Sequence, residues 1–183
     1  MHLVNLDETT RRYMRAEVEM DLGAGRTLYL GPRLSQRGRP DYPTLLLEAI
    51  DTGTPETLAA ELNRSGRLNE WETSHSKYGR PYQKHVPRNA ADMLAKGEFN
   101  RFYIRGLCAR AVAEGIEHVQ VYRSEDVRDP RPESQAKIGA LMDPAVLLHD
   151  LRTHNDKESI NTALGVPAGP NSTLSVQLVI PAV

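Results

Sequence analysis

Basic and aromatic side chains are concentrated in one stretch of this sequence that contains no acidic residue. From Ser74 to Ala91 it carries two lysines, two arginines and two tyrosines, and Trp71 stands just before it. Basic side chains neutralise phosphates and aromatic rings stack on bases, a combination typical of nucleic-acid binding. The candidate nucleic-acid-binding residues are Lys77, Tyr78, Arg80, Tyr82, Lys84 and Arg88.

The same stretch is predicted to form a β-hairpin. Two arms, 67–73 and 82–86, flank a tip at 77–79 that ends in a glycine, and Pro81 restricts the second arm to a sheet edge. A two-stranded ribbon is narrow enough to enter a nucleic-acid groove. In the alternative interpretation, Glu70 and Glu72 pair with the cations across the hairpin, or the arm is solvated or contacts a subunit.

An acidic cluster follows a strand predicted over His118–Arg123. Binding sites in α/β proteins often lie past the carboxyl ends of strands, and grouped carboxylates hold Mg²⁺ for phosphodiester cleavage. Arginines interleave with these acids, which is typical of a solvated loop, so a metal site is only the alternative expectation. The candidate metal ligands are Glu125, Asp126, Asp129 and Glu133.

A long amphipathic helix is predicted from near Glu98 to Gly115, after a short helix that Gly97 breaks. Aromatic and aliphatic residues recur every four positions and spread well beyond one stripe, so the helix needs cover on more than one side. A glycine in a helix costs about 1 kcal/mol relative to alanine. Gly106 therefore predicts that another backbone packs closely at that point.

This helix is expected to lie in the core or at a subunit interface. Arg101 and Arg105 lie four residues apart and could clamp a carboxylate or phosphate, with a solvated or ion-paired edge as the alternative. A C-terminal strand over Thr173–Ile180 alternates cleanly and could complete its own sheet or a neighbour's. The candidate interface residues are Phe102, Arg101, Arg105, Leu174, Val176 and Leu178.

The remaining elements indicate a mixed fold in one domain, 1–183. Helices are predicted over 7–22, 43–51, 55–63, from 144 onward and 158–164, with a strand over 26–30 and an irregular connection over 31–43. Helices and strands are interspersed rather than strictly alternating, which predicts an α+β (mixed α/β) fold. We expect a central amphipathic helix on a small mixed sheet, with a β-hairpin and a C-terminal strand.

Composition narrows the function classes. The 23 basic residues nearly balance the 24 acidic ones, which argues against a whole-surface footprint for nucleic acid or membrane. The single cysteine, Cys108, excludes an internal disulfide and a thiolate zinc site and is expected to be a buried hydrophobe. Without a signal peptide or an apolar run of about 20 residues, a cytoplasmic location with no membrane contact is expected.

Motifs for phosphate, dinucleotide or zinc binding and for a serine nucleophile are lacking, so no cofactor is expected and a non-catalytic role is favoured. The segment Glu98-Phe-Asn-Arg-Phe-Tyr-Ile-Arg-Gly-Leu-Cys-Ala-Arg-Ala111, with Val121-Tyr-Arg123 and Pro130-Arg-Pro-Glu-Ser134, resembles uncharacterised proteins of bacterial and phage genomes. The resemblance implies no activity or functional residue. It favours a component of a virion or similar particle.

Two functions of different classes follow as hypotheses. The first is a structural or assembly protein that acts through contacts with its own copies or with other protein subunits. The second is a protein that binds nucleic acid through the hairpin, or processes it with a metal ion at the acidic cluster.

Overall fold

The computed structural model describes residues 1–25, 28–153 and 173–179. The helices of this part are α1 (Glu8–Gly23), α2 (Gly38–Thr52), α3 (Pro55–Leu62), α4 (Ala90–Glu114), α5 (Pro132–Gln135) and α6 (Pro144–Thr153). The strands are β1 (Trp71–His75), β2 (Pro81–His85), β3 (Val119–Arg123), β4 (Leu141–Met142) and β5 (Leu174–Leu178). Among the described residues, no helix combines the length and apolar composition needed to cross a membrane.

Helix α4 is continuous through Gly97, so the predicted break there was wrong. Glycine weakens a helix by only about 1 kcal/mol, and burial of apolar neighbours outweighs that cost. Ala95 and Phe99, on either side of Gly97, are both fully buried. The helix ends as predicted at Gly115, which adopts the left-handed conformation with φ of 70°.

Helices α1, α3 and α6 and strand β5 pack around α4. Where α1 crosses, the two backbones are in direct contact: a Cβ atom added to Gly106 would lie 2.6 Å from the backbone nitrogen of Met14. The close backbone approach predicted at this glycine is confirmed. The apolar width of α4 is therefore satisfied by elements of its own chain.

Strand β3 lies between β4 and β5 in a three-stranded antiparallel sheet. Strand β5 thus completes the sheet of its own chain, with Val176 opposite Val121. Two asparagine side chains cover its outer edge. The backbone oxygen of Leu174 accepts a hydrogen bond from Asn100 (2.8 Å), and the backbone N–H of Leu178 donates one to Asn5 (3.0 Å).

Side-chain caps fix two predicted helix starts. The Asp7 carboxylate accepts from the backbone N–H of Thr10 at 2.8 Å, and the Asp143 carboxylate accepts from that of Ala145 at 2.7 Å. The irregular connection predicted over 31–43 is shorter than expected, because α2 already begins at residue 38. There the Ser35 hydroxyl accepts from the Gly38 N–H.

The predicted α+β class is confirmed, with six helices and two small sheets in the described ranges. Both sheets are antiparallel rather than mixed. Residues 28–30 do not form the predicted strand, and its first two residues, 26–27, lie outside the described residues, as does the helix predicted over 158–164. The single domain over 1–183 stays a prediction.

Candidate functional site

The β1–β2 hairpin extends from the body of the protein on a tight turn. Backbone bonds from Ser76 to Arg80 and from Gly79 to Ser76 close a three-residue loop, and Gly79 adopts φ of 77°. Three-residue hairpin loops require such a left-handed position, which glycine occupies without strain. The Ser76 hydroxyl further accepts from the N–H groups of Tyr78 and Arg80. We call residues 70–88 the arm.

The register of the arm separates its side chains into two faces. Glu72 lies opposite Lys84 and Ser74 opposite Tyr82 on the face that includes the anchor to the body. The other face, here called the open face, carries no charged carboxylate, lysine or arginine. Its six side chains are all exposed: Trp71, Thr73, His75, Pro81, Gln83 and His85.

Cross-strand contacts organise the open face into ordered rows. The Trp71 ring stacks on the His85 ring with centroids 3.7 Å apart. In the next row, the Gln83 amide donates to the Thr73 hydroxyl at 2.9 Å. Trp71 remains 49% exposed despite the stacking. The open face therefore presents a large aromatic surface beside polar side chains other than Asp, Glu, Lys and Arg, the composition of a protein contact.

The predicted nucleic-acid-binding residues are divided between three places. Lys77, Tyr78 and Arg80 are exposed at the tip, where the Lys77 ammonium lies 4.8 Å from the Tyr78 ring centroid. Tyr82 and Lys84 lie on the face opposite the open face, and Arg88 is exposed after β2. Lys84 pairs with Glu72 at 3.3 Å. The structure thus brings Lys77, Tyr78 and Arg80 together at the tip. It also shows a Glu72–Lys84 pair across the hairpin, as the alternative interpretation predicts.

Glu72 also joins the arm to the body. The Arg33 guanidinium donates to its carboxylate at 2.7 Å. The hydrogen bonds and charges of Arg33 and Lys84 hold the pKa of Glu72 below its usual range. At the base of the arm, backbone bonds from Asn69 to Arg33 and from Ser35 to Arg67 add segment 33–35 beside the first arm.

A buried ionic cluster surrounds Arg105, whose side chain has no exposed surface. Its guanidinium contacts Asp21 at 2.6 Å and Glu17 at 2.8 Å, both on α1. Arg152 of α6 also pairs with Glu17, so three helices meet at this cluster. The ion-paired alternative is confirmed for Arg105, and its carboxylate partners belong to the chain itself.

A second buried pair lies nearby on α4, where Arg101 contacts Glu98 at 3.3 Å. Burial raises the pKa of Glu98, and Arg101 opposes that shift. The Tyr42 hydroxyl is fully buried and has no hydrogen-bond partner among the described residues. These groups are enclosed, so they offer no surface for a ligand.

All six predicted interface residues are buried within the chain. Phe102, Arg101, Arg105, Leu174, Val176 and Leu178 are between 0% and 9% exposed. The sequence pattern correctly marked apolar surface that requires cover, but α1, α6 and the sheet provide that cover internally. A partner finds no exposed side chain at these positions.

The acidic residues after β3 are the candidate ligands of the metal-site alternative. In the described ranges no three histidine, cysteine or acidic side chains converge around one point. Glu125 instead pairs with Lys96 at 2.5 Å, while Asp126, Asp129 and Glu133 are exposed. The described side chains therefore supply no convergent ligand set, and the metal-ligand alternative stays a prediction.

Cys108 is fully buried on α4, as predicted. Burial raises the pKa of its thiol, which keeps the sulfur protonated and unreactive.

Sequence reasoning missed the open face. The available signal was the loop itself: a three-residue tip pairs 76 with 80 and so places 71, 73 and 75 on the face of 85, 83 and 81. Counting cations along the chain obscured this alternation.

Comparison with protein-family models, with curated proteins and with solved structures found no match to this chain.

Proposed function

We propose that this protein is a non-catalytic assembly component that binds another protein subunit through the open face of the arm. The observation that carries this proposal is the exposed Trp71–His85 stack on a face without aspartate, glutamate, lysine or arginine. Exposed aromatic residues are enriched where proteins bind one another. The resemblance to proteins of phage genomes extends the proposal to a virion or similar particle that assembles in the cytoplasm.

Two substitutions on opposite faces of the arm test this proposal. Trp71 and Tyr82 are 49% and 48% exposed, so their truncation removes similar exposed aromatic surface. We expect Trp71→Ala to reduce co-sedimentation with the native assembly at least about tenfold, the usual effect of removing an aromatic contact residue. Tyr82→Ala is the matched control and is expected to retain association.

Light scattering of the purified protein, alone and with its native assembly, supplies the direct readout. A strictly monomeric parent protein that joins no assembly contradicts the proposal. So does an equal loss of association in the two variants.

A second candidate function is nucleic-acid binding at the tip of the arm. It is favoured by the exposed cluster of Lys77, Tyr78 and Arg80, in which two cations flank an aromatic ring that is 78% exposed. The parent protein would then be retained on DNA more strongly at low salt than at high salt. Lys77→Ala with Arg80→Ala would abolish retention, whereas Arg128→Ala with Lys137→Ala, an equal charge change after β3, would not. Salt-independent behaviour of the parent protein excludes this function.

A further inference from the structure

The outer edge of β1 is an unprotected strand edge. Backbone hydrogen bonds between residues 76 and 80 and between 86 and 70 show that the backbone groups of even-numbered residues in 70–76 face β2. The odd-numbered backbone groups therefore face outward, as the bond from Asn69 to Arg33 confirms. The outward backbone groups of Trp71, Thr73 and His75 have no backbone partner among the described residues. We call these groups the outer row.

The outer edges of β2 and β5 are protected. On the outer edge of β2, the outward positions are flanked by Pro81 and Pro87, which have no N–H to donate. The outer edge of β5 is covered by Asn5 and Asn100. Natural proteins block exposed edges with proline, charge or covering side chains. Among the described residues, the outer row has no proline and no covering side chain, and the acidic residue of β1, Glu72, is paired with Arg33 and Lys84.

The chain itself already uses the first part of this edge. Segment 33–35 pairs with 67–69 in antiparallel fashion, with Leu34 opposite Leu68. The chain departs from the edge at Gly31, which adopts φ of 62°. The five residues of β1 beyond this point continue the same edge. A strand placed there would extend a ladder that the protein has already begun.

Charge identifies the occupant that fits this edge. Residues 70–88 contain four cations, Lys77, Arg80, Lys84 and Arg88, against two carboxylates. A second copy of the arm would bring two net positive charges together, whereas an acidic strand would be attracted to the excess of cations, since Glu72 is already paired with Arg33 and Lys84. We propose that the outer row of β1 binds an extended, acidic segment of the partner protein by β-strand addition.

This inference rests on the proposed function and specifies how the arm engages its partner. It can be tested on the full-length protein before the partner is identified. In hydrogen exchange by NMR, the amides of Trp71, Thr73 and His75 are expected to exchange fast in the free protein and those of Glu72 and Ser74 slowly. Protection of the outer row in the free protein overturns the inference.

The binding probe is a set of three labelled eight-residue peptides with the same alternating valine pattern, carrying glutamate, glutamine or lysine at the polar positions. Fluorescence anisotropy is expected to show tightest binding of the glutamate peptide, weakened by salt, with new protection of the outer row. Absence of binding by all three peptides, or preference for the lysine peptide, overturns the inference.

Thr73→Pro and Gln83→Pro form a matched pair, because residues 73 and 83 lie opposite each other and share one side-chain hydrogen bond. Each substitution removes one outward N–H. Thr73→Pro is expected to weaken the glutamate peptide about tenfold, since lost backbone hydrogen bonds cost about 1.4 kcal/mol. Gln83→Pro is expected to leave its affinity within about threefold of the parent's.

Equal weakening by the two proline variants refutes pairing at β1, and thermal denaturation verifies that both remain folded to the same extent. Failure of the inference and of the proposed function are distinguishable. If Thr73→Pro retains the assembly association that Trp71→Ala loses, strand addition is refuted while the open face remains the contact surface. Formation of dimers by the parent protein that Thr73→Pro abolishes would replace the acidic segment with a second copy as occupant.

Discussion

At the scale of single residues, we expect truncation of Arg105 to have a large effect on stability. Its guanidinium satisfies two buried carboxylates, Glu17 and Asp21, with hydrogen bonds of 2.6 to 3.1 Å. A buried pair of this kind adds little net stability over an apolar core, yet the loss of one partner leaves a charge unpaired in a medium of low polarity. The cluster is therefore sensitive to truncation.

We expect Arg105→Ala to lower the free energy of unfolding by about 3–5 kcal/mol, because Asp21 and Glu17 would lose the buried guanidinium and Glu17 would keep only its pair with Arg152. Arg15→Ala is the control: its side chain is 41% exposed and pairs with Glu19 at the surface. Exposed pairs contribute less than about 1 kcal/mol. Urea denaturation measures both. Similar losses of unfolding free energy in the two variants would show that the Arg105 cluster contributes no more to stability than an exposed ion pair.

Glu72 makes the docking of the arm sensitive to pH. Its pKa is lowered in the folded protein, chiefly by the hydrogen bond from Arg33. Its contribution to stability is therefore complete above the pKa of the unfolded chain and is lost as pH falls through the lower, folded pKa.

Trp71 is the only tryptophan, so its fluorescence reports on the arm. We expect an acid transition in this fluorescence below the ordinary glutamate pKa of about 4.3. Glu72→Gln should abolish the transition, and Glu70→Gln, a change of an exposed carboxylate just before β1, should leave it in place. Persistence of the transition in Glu72→Gln would assign it to another group.

At the scale of secondary-structure elements, the α1–α4 crossing depends on one position without a side chain. Gly106 allows the two helix backbones to touch at Met14. Close approach brings Glu17 and Asp21 of α1 within reach of Arg105 one residue earlier on α4. The glycine and the ionic cluster are thus two parts of one helix contact.

Gly106→Ala is expected to destabilise the protein by about 1–3 kcal/mol, because the added methyl group would separate the helices, despite the higher helix propensity of alanine. Gly23→Ala is the matched control at the end of α1, where a Cβ atom would meet nothing within 4 Å. That change should be neutral or stabilising by up to about 1 kcal/mol. Thermal denaturation compares them; an unchanged midpoint for Gly106→Ala would contradict the close packing.

At the scale of the whole molecule, a well-packed body carries a thinly attached arm. Helix α4 contacts helices on several sides and the sheet, whereas β1 and β2 mainly contact each other. Beyond the short ladder at 33–35, the Arg33–Glu72 ion pair links the arm to the body. Elements with few contacts open more readily than the core.

Native-state hydrogen exchange should therefore separate two levels of stability. We expect amides of α4, such as those of Tyr103 and Leu107, to exchange only by global unfolding. Global unfolding costs roughly 5–15 kcal/mol in typical domains. Paired amides of the arm, such as those of Ser74 and Tyr82, should exchange through a local opening of lower free energy. A single free energy for both groups would show that arm and body unfold as one unit.

Much of the fold could be predicted because local signals determine it. Asp7 and Asp143 cap their helices through bonds that span two or three residues, and Gly115 ends α4 with a conformation other residues avoid. The error at Gly97 has the opposite origin. A local helix breaker was overridden by tertiary burial, which no short window of sequence contains.

The candidate site divides in the same way. By itself the sequence predicted a hairpin with arms over 67–73 and 82–86, because a tight turn and its glycine act over a few residues. The observed strands are Trp71–His75 and Pro81–His85. Only the tertiary structure decided which groups remain available. It placed Arg105 between two carboxylates 84 and 88 positions away and left the outer row of β1 without a backbone partner among the described residues. Such pairings depend on packing between distant segments. The positions of the cations along the sequence therefore could not show that the open face beside them is exposed.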